Sequence, residues 1–78
     1  MREYKFKIKV KNTVEILNKI SALVKKNKYE VIDLYATFPK DKKYVNIELS
    51  LSLPNEKSAL KAQKQLTKIL EIIKIQLL

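Results

Sequence analysis

Strict alternation of apolar and lysine side chains near the N-terminus narrows the range of folds open to this chain more than any other feature. From Tyr4 to Lys11 every second residue is aromatic or aliphatic, and every residue between them is a lysine. A repeat of two puts the two sets on opposite faces of a β-strand. The apolar set is Tyr4, Phe6, Ile8 and Val10, and the basic set is Lys5, Lys7, Lys9 and Lys11. The pattern predicts a strand with one buried and one solvent-facing side.

A helical repeat follows this strand, from about Thr13 to Lys26. Asn12, with Glu15 three residues later, has the character of an N-terminal cap pair. Asn27 is predicted to end the helix, because asparagine tolerates the left-handed backbone found after many helices. The apolar residues predicted to form the buried stripe of the helix are Val14, Leu17, Ile20, Leu23 and Val24.

A hairpin, a second helix and a final strand complete the pattern. Val31–Phe38 is rich in β-branched and aromatic residues, and residues 39–43 supply the turn before an alternating run over Tyr44–Leu53. Pro54 and Asn55 are predicted to open the second helix. Its predicted buried stripe is Ala59, Ala62, Leu66, Ile69 and Leu70, and Ile73, Ile75 and Leu77 are expected to make a short final strand.

The order βαββαβ predicts an α+β domain of the ferredoxin-like type. With right-handed crossovers this order gives a four-stranded antiparallel sheet with two helices on one face. A chain of 78 residues has room for one hydrophobic core, so residues 1–78 are expected to form a single domain. The second face of the sheet is expected to be open to solvent and to display the lysine row of the first strand.

The side-chain inventory predicts a protein that is not an enzyme. The sequence has no cysteine, histidine or glycine, so the usual thiol nucleophile, general base, soft metal ligands and phosphate-binding glycine loop are missing. The eight acidic residues show no spacing typical of an acid–base pair. We therefore expect no catalytic residue, no metal and no cofactor. The N-terminal alternation lacks the apolar run of a signal peptide or membrane span, which favours a cytoplasmic protein without membrane contact.

Three segments share the pattern of a known regulatory family. They are KVKNTVEIL at residues 9–17, LVKKNKYEVIDL at residues 23–34 and AQKQLTKILEIIKI at residues 62–75. Together they resemble the ACT domain of the acetolactate synthase small, regulatory subunit, and the resemblance extends over essentially the whole chain. It implies a regulatory domain that pairs with a second copy edge to edge, binds an amino-acid effector at the interface and signals to a partner enzyme.

The resemblance also implies where the effector binds. In that family the loop after the first strand and the start of the first helix hold the ligand, which here assigns Asn12, Thr13, Val14, Glu15 and Ile16, together with Glu30 before the second strand. Asn12 matches the ligand-binding asparagine of the family, and its plain role as a helix cap is the alternative. Glu15 replaces the family's glycine and Glu30 its second asparagine. Two acidic replacements favour an amine or a cation as the ligand.

The strand over Val31–Phe38 is expected to lie at a sheet edge and to be apolar on both faces. Pairing with a second copy would cover its side chains and satisfy its free backbone groups, so we predict a symmetric homodimer. The predicted edge residues are Val31, Ile32, Leu34, Tyr35 and Ala36.

Two alternatives to an amino-acid sensor stay open at this point. The acidic replacements at Glu15 and Glu30 favour a structural dimer that has lost its ligand. The net charge of +9 and the open-face row of Lys5, Lys7, Lys9 and Lys11 allow non-specific contact with a polyanion. Sequence-specific RNA reading is not expected, because Tyr4 and Phe6 fall on the core side of the strand.

Overall fold

Four antiparallel strands form one sheet, and the two helices connect strands that are not adjacent in it. The computed structural model describes residues 1–78. Its elements are β1 (Arg2–Lys11), α1 (Ile16–Lys26), β2 (Glu30–Thr37), β3 (Tyr44–Leu53), α2 (Glu56–Thr67) and β4 (Ile72–Leu77). The strand order is β2-β3-β1-β4. This is the predicted ferredoxin-like βαββαβ fold, which is therefore confirmed.

The central strands β1 and β3 supply most of the core. In their register Phe6 pairs with Leu49 and Ile8 with Ile47, and these apolar pairs are fully buried beneath the helices. The lysines between them are exposed on the other face. The predicted assignment of residues to the two faces of the sheet is therefore confirmed for both strands. A register shifted by one residue would have turned the whole apolar set toward solvent.

Helix α1 packs on the sheet through a different stripe from the one predicted. Its buried residues Ile16, Ile20 and Val24 recur every four positions, while Val14 is 97% exposed and Leu17 is 39% exposed. The prediction was wrong for Val14 because the helix begins three residues later than expected, at Ile16. Val14 therefore lies in the preceding loop. The prediction was wrong for Leu17 because this residue, although within α1, lies beside the buried stripe and not in it.

Helix α2 follows the prediction closely and ends earlier than expected. Asn55 caps it, since the Asn55 Oδ1 accepts a hydrogen bond of 2.9 Å from the Ser58 N–H. Ala59, Ala62 and Leu66 are buried. Leu70, which was predicted to belong to this stripe, is 89% exposed because α2 ends at Thr67 and Leu70 lies in the turn beyond it.

The C-terminus of α1 shows how a chain without glycine turns. Lys28, with φ 56°, adopts the left-handed conformation that was predicted for Asn27, which itself has φ −90°. Asn27 instead uses its side chain: its Nδ2 donates to the Leu23 carbonyl at 2.8 Å, and its Oδ1 accepts from Gln65 of α2 at 3.1 Å. The side chain of Asn27 thus joins the two helices.

β-bulges adjust both edge strands. On β4 the register moves from Lys9 opposite Lys74 to Val10 opposite Ile72, which leaves Ile73 as the extra residue. Ile73, Ile75 and Leu77 lie in the final strand as predicted. The bulge leaves Ile73 48% exposed, and Ile72 packs against the core instead. On β2 the register shift between Val31 and Asp33 has the same effect at Ile32. Neither helix is long and apolar enough to cross a membrane.

Candidate functional site

The loop between β1 and α1 is held by the β2–β3 turn. Asn12 Nδ2 donates to the Lys42 carbonyl at 2.8 Å, and the Asn12 N–H donates to the Lys43 carbonyl at 3.0 Å. The prediction that Asn12 caps α1 was therefore wrong. The side chain binds a carbonyl thirty residues away in sequence, and it lies four residues before the helix begins.

The N-terminus of α1 consequently has no side-chain cap. Glu15 occupies the cap position with φ −94° and ψ −7°, and no side chain accepts a hydrogen bond from the first helical turn. The N–H groups of Leu17 and Asn18 have no hydrogen-bond partner within the chain. Uncapped amides and the positive end of the helix dipole make this a position suited to a carboxylate or another anion.

A buried carboxylate beneath the loop was missed by the sequence analysis. Glu71, which is 8% exposed, accepts a hydrogen bond of 2.7 Å from the Lys19 ammonium at its Oε2, and Thr13 Oγ1 lies 3.5 Å from the same oxygen. The Glu71 carbonyl also accepts from the Lys11 N–H at 2.9 Å. These contacts fix the loop and α1 to the junction between α2 and β4. A lone acid within the apolar run ILEII was the available signal.

The ion pair shifts the titration of both partners. The hydrogen bond that the Lys19 ammonium donates to Glu71 lowers the pKa of Glu71, and the same bond raises the pKa of Lys19. Glu71 is therefore ionised in the native protein near neutral pH, and its charge is matched inside the chain. Glu71 is therefore not available to a ligand. The acidic residue nearest in sequence to the N-terminus of α1 is Glu15, which could contact one.

The predicted effector residues do not all come together within one chain. Asn12, Thr13, Val14 and Glu15 share the loop, whereas Ile16 is 2% exposed and its side chain belongs to the core. Glu30 begins β2 and lies opposite Ser52, at the far end of the sheet from the loop. With a rise of about 3.3 Å per residue along the strands, this separates Glu30 from the loop by roughly 25 Å. A site that includes both needs a second chain.

The β2 edge is exposed and apolar, as predicted. Val31, Ile32, Leu34 and Tyr35 are between 39% and 60% exposed, and only Ala36 is half-buried. Val31 and Leu34 line an apolar groove of about 550 Å³ between β2 and α1. The groove is also lined by Ile20, Ala22 and Val24 of α1 and by Tyr29 in the turn that follows this helix. The apolar side chains of β2 beside α1 are therefore left uncovered.

The lysines of β1 lie together on the open face, exposed as predicted. The register places Lys5 opposite Ser50, Lys7 opposite Glu48 and Lys9 opposite Asn46. The row is uneven in charge: Asp33 lies across Ser50 from Lys5, and no acid lies beside Lys9. The four lysines are thus not equivalent as candidate contacts for an anion.

Solved structures with the same architecture are ACT domains and proteins of related fold. The ACT domain from the GTP pyrophosphokinase of Chlorobium tepidum matches with a TM-score of 0.82 at 14% identity, over 97% of this chain and 96% of that domain. The small subunit of acetolactate synthase from Thermotoga maritima matches with a TM-score of 0.88 at 16% identity, over 99% of this chain and 47% of the subunit. A formyltetrahydrofolate deformylase from Pseudomonas putida matches with a TM-score of 0.78 at 6% identity, over 99% of this chain and 28% of that protein.

These similarities establish the fold. No protein-family model matches the sequence, and no curated protein matches it. At identities of 6% to 16% the structural matches show a shared architecture and leave ligand and partner open. The resemblance to ACT domains that was expected from the sequence is confirmed at this level.

Proposed function

We propose that this chain is a non-catalytic regulatory module of the ACT type that binds a small amine-bearing effector between two copies of itself. The observation that supports the proposal most directly is the uncapped N-terminus of α1, beside a loop that the turn at Lys42 and the carboxylate of Glu71 hold in place. A prearranged loop with free backbone donors can bind a carboxylate without reordering.

The exposed edge supports pairing of two copies through β2. An edge strand with free backbone groups and apolar side chains is stabilised by a second strand, and the groove beside Val31 and Leu34 would be covered at the same time. In a symmetric pair the two β2 strands run antiparallel. The start of one strand, with Glu30, then lies beside the end of the other, which is the end nearer to Asn12.

In this pairing both charged groups of the proposed effector have a partner. The free amides of α1 suit a carboxylate, while Glu15 and the Glu30 of the second copy suit an ammonium group. The two acidic residues would repel a ligand that offered only a carboxylate. An amino acid with an additional amine therefore fits the charges of the site better than an aliphatic amino acid.

Pairing through β2 is tested by the mass of the particle in solution. We expect a dimer at tens of micromolar by size-exclusion chromatography with light scattering, and a monomer after Leu34→Lys. Leu60→Lys is the matched control, because Leu60 is 52% exposed on α2 and adds the same charge away from the edge. A monomeric wild type, or equal behaviour of the two variants, would refute the pairing.

Effector binding is tested by thermal denaturation with each of the twenty amino acids and with simple amines. An effector at a hundred times its dissociation constant stabilises the protein by roughly 2.7 kcal/mol, which shifts the melting temperature by several degrees in a domain of this size. Glu15→Gln is expected to weaken the shift given by an amine. A dimer with no shift from any compound would identify the structural alternative favoured by Glu15 and Glu30. The cytoplasmic location and the partner enzyme remain predictions.

A further inference from the structure

One end of the open sheet face concentrates lysines from two adjacent strands. Lys9 on β1 lies directly opposite Lys74 on β4, and Lys7 lies opposite Gln76 one step along. On the other side of β1, Lys9 faces Asn46 of β3. The row through Lys9 therefore contains two ammonium groups and a carboxamide, with no acid in it.

These side chains surround a shallow depression of about 190 Å³. It is lined by Lys7, Ile8, Lys9, Asn46, Lys74 and Gln76. None of the lining side chains makes a hydrogen bond or a salt bridge within the chain, where Lys19–Glu71 is the only salt bridge. Glu48 lies opposite Lys7 in the register but does not pair with it. The depression thus presents three ammonium groups and two carboxamides whose donors are all free.

The position of Lys9 is supported from the side. Its ammonium lies 4.6 Å from the centroid of the Tyr44 ring, a cation–π contact that favours one arrangement of an otherwise mobile side chain. A lysine held over a ring at the rim of the depression loses less conformational entropy when an anion binds.

The arrangement carries an energetic penalty when it is empty. Like charges directly opposite each other on antiparallel strands destabilise the sheet, and Lys9 and Lys74 are such a pair. A multiply charged anion between them removes the repulsion and accepts charge-assisted hydrogen bonds from both. We infer that this depression is a binding site for a compact phosphorylated ligand that carries at least two negative charges.

The charge of the rest of the face argues for a compact ligand over a polymer. At the other end of the sheet the register brings Glu3 and Glu30 to either side of Ser52, and Asp33 lies in the row of Lys5. A nucleic-acid strand following the lysine row would run from a basic end into an acidic one. A single phosphate or diphosphate group occupies only the end at Lys9 and Lys74, where no acid opposes it.

This site is separate from the proposed effector site. It lies on the face of the sheet away from the helices and between β1 and β4, while the proposed pairing uses β2 at the opposite edge. A dimer formed through β2 leaves it open. The anion site does not depend on the amino-acid effector, so an experiment can refute either proposal without refuting the other.

The test is a calorimetric titration of the full chain with pyrophosphate at low salt, with inorganic phosphate as the single-phosphate arm. We expect saturable binding of pyrophosphate, weakened about tenfold by Lys74→Gln or Lys9→Gln, because each removes a charge-assisted contact. Lys61→Gln is the matched control: it makes the same change of charge on the exposed face of α2 and should leave the affinity within about twofold. Without ligand, Lys74→Gln should melt at a temperature no lower than the wild type, because it removes the repulsion.

Three results would overturn the inference. One is the absence of saturable pyrophosphate binding below about 10 mM at low salt. Another is an equal loss of affinity in Lys61→Gln and Lys74→Gln, which would reduce the effect to net charge. The third is tighter binding of a short single-stranded oligodeoxynucleotide that depends on Lys5 and Lys11 as strongly as on Lys74, which would make the face a polymer surface.

Discussion

The two junctions that lead from a strand into a helix are built differently, although the fold uses the same connection twice. Between β3 and α2, Asn55 caps the helix through Ser58, and only two residues separate the elements. Between β1 and α1 there are four residues, the asparagine binds the β2–β3 turn, and the helix is uncapped. The topology does not require this difference, so the free amides of α1 are available for the proposed ligand, whereas the closed junction of α2 serves stability.

The two helices also pack on the sheet with side chains of different size. Ala59 and Ala62 of α2 are fully buried, and their small side chains let the helix backbone lie close to the sheet. α1 packs through the larger side chains of Ile16, Ile20 and Val24 and leaves a groove beside β2. Close packing tolerates little added volume. The α2 side is therefore the closely packed half of the molecule, and the α1 side is the half with room for a partner.

Ala62→Leu gives the largest expected effect, because it forces a side chain into the tight α2 contact. We expect a loss of about 1–3 kcal/mol in the free energy of unfolding, measured by urea denaturation. Lys61→Leu is the control at the adjacent exposed position, with an expected change within about 0.5 kcal/mol. Equal effects of the two substitutions would mean that α2 is not the closely packed helix.

Asn55→Ala and Asn12→Ala compare the two junctions directly. Loss of the α2 cap should cost about 1 kcal/mol, or roughly 4–8 °C in melting temperature for a domain of this length. Asn12 caps nothing, so its exposed hydrogen bond to Lys42 should be worth less than about 0.5 kcal/mol. If Asn12→Ala proved as costly as Asn55→Ala, the contrast between a capped and an uncapped helix would be lost.

The strands were predictable because their signals are local. The alternation in β1 and β3 determines which face is buried, and Asn55 stands at a cap whose partner Ser58 is three residues away. Each of these needs only the spacing of neighbouring residues and a hydrophobic core to face.

The residues of the candidate sites were harder to predict because their partners are distant in sequence. Asn12 and Glu15 have the spacing of a cap pair, but a carbonyl in the later hairpin turn binds the asparagine. Glu71 and Lys19 are 52 residues apart. The approach of Lys74 to Lys9 depends on the register between two strands at opposite ends of the chain, and a bulge adjusts that register. Local patterns contain no information about such contacts.

Glu71→Gln gives the smallest expected effect at neutral pH and the clearest dependence on pH. The ion pair with Lys19 holds the pKa of Glu71 below its ordinary value of 4.5, so the native state favours the ionised form. Its contribution to stability is therefore full above pH 4.5 and is lost as the pH falls through the lowered native pKa. The pKa of Lys19 is raised above 10.5, so its contribution is full below that pH and is lost as the pH rises through the raised native value.

Urea unfolding of the wild type and of Glu71→Gln, measured from acid to alkaline pH, tests whether the Glu71–Lys19 ion pair ties the uncapped junction to the rest of the fold. The difference in the free energy of unfolding should be constant at intermediate pH and should shrink in acid, where the wild type loses the advantage of its carboxylate. Lys19→Gln combined with Glu71→Gln completes a double-mutant cycle, whose coupling energy should follow the same pH dependence. Parallel acid denaturation of the wild type and the Glu71 variant would show that Glu71 does not hold the loop. The free amides of α1 would then lie next to a loop that is not held in place and would not form a prearranged site. The β1–α1 junction would no longer differ from the β3–α2 junction in a way that supports ligand binding.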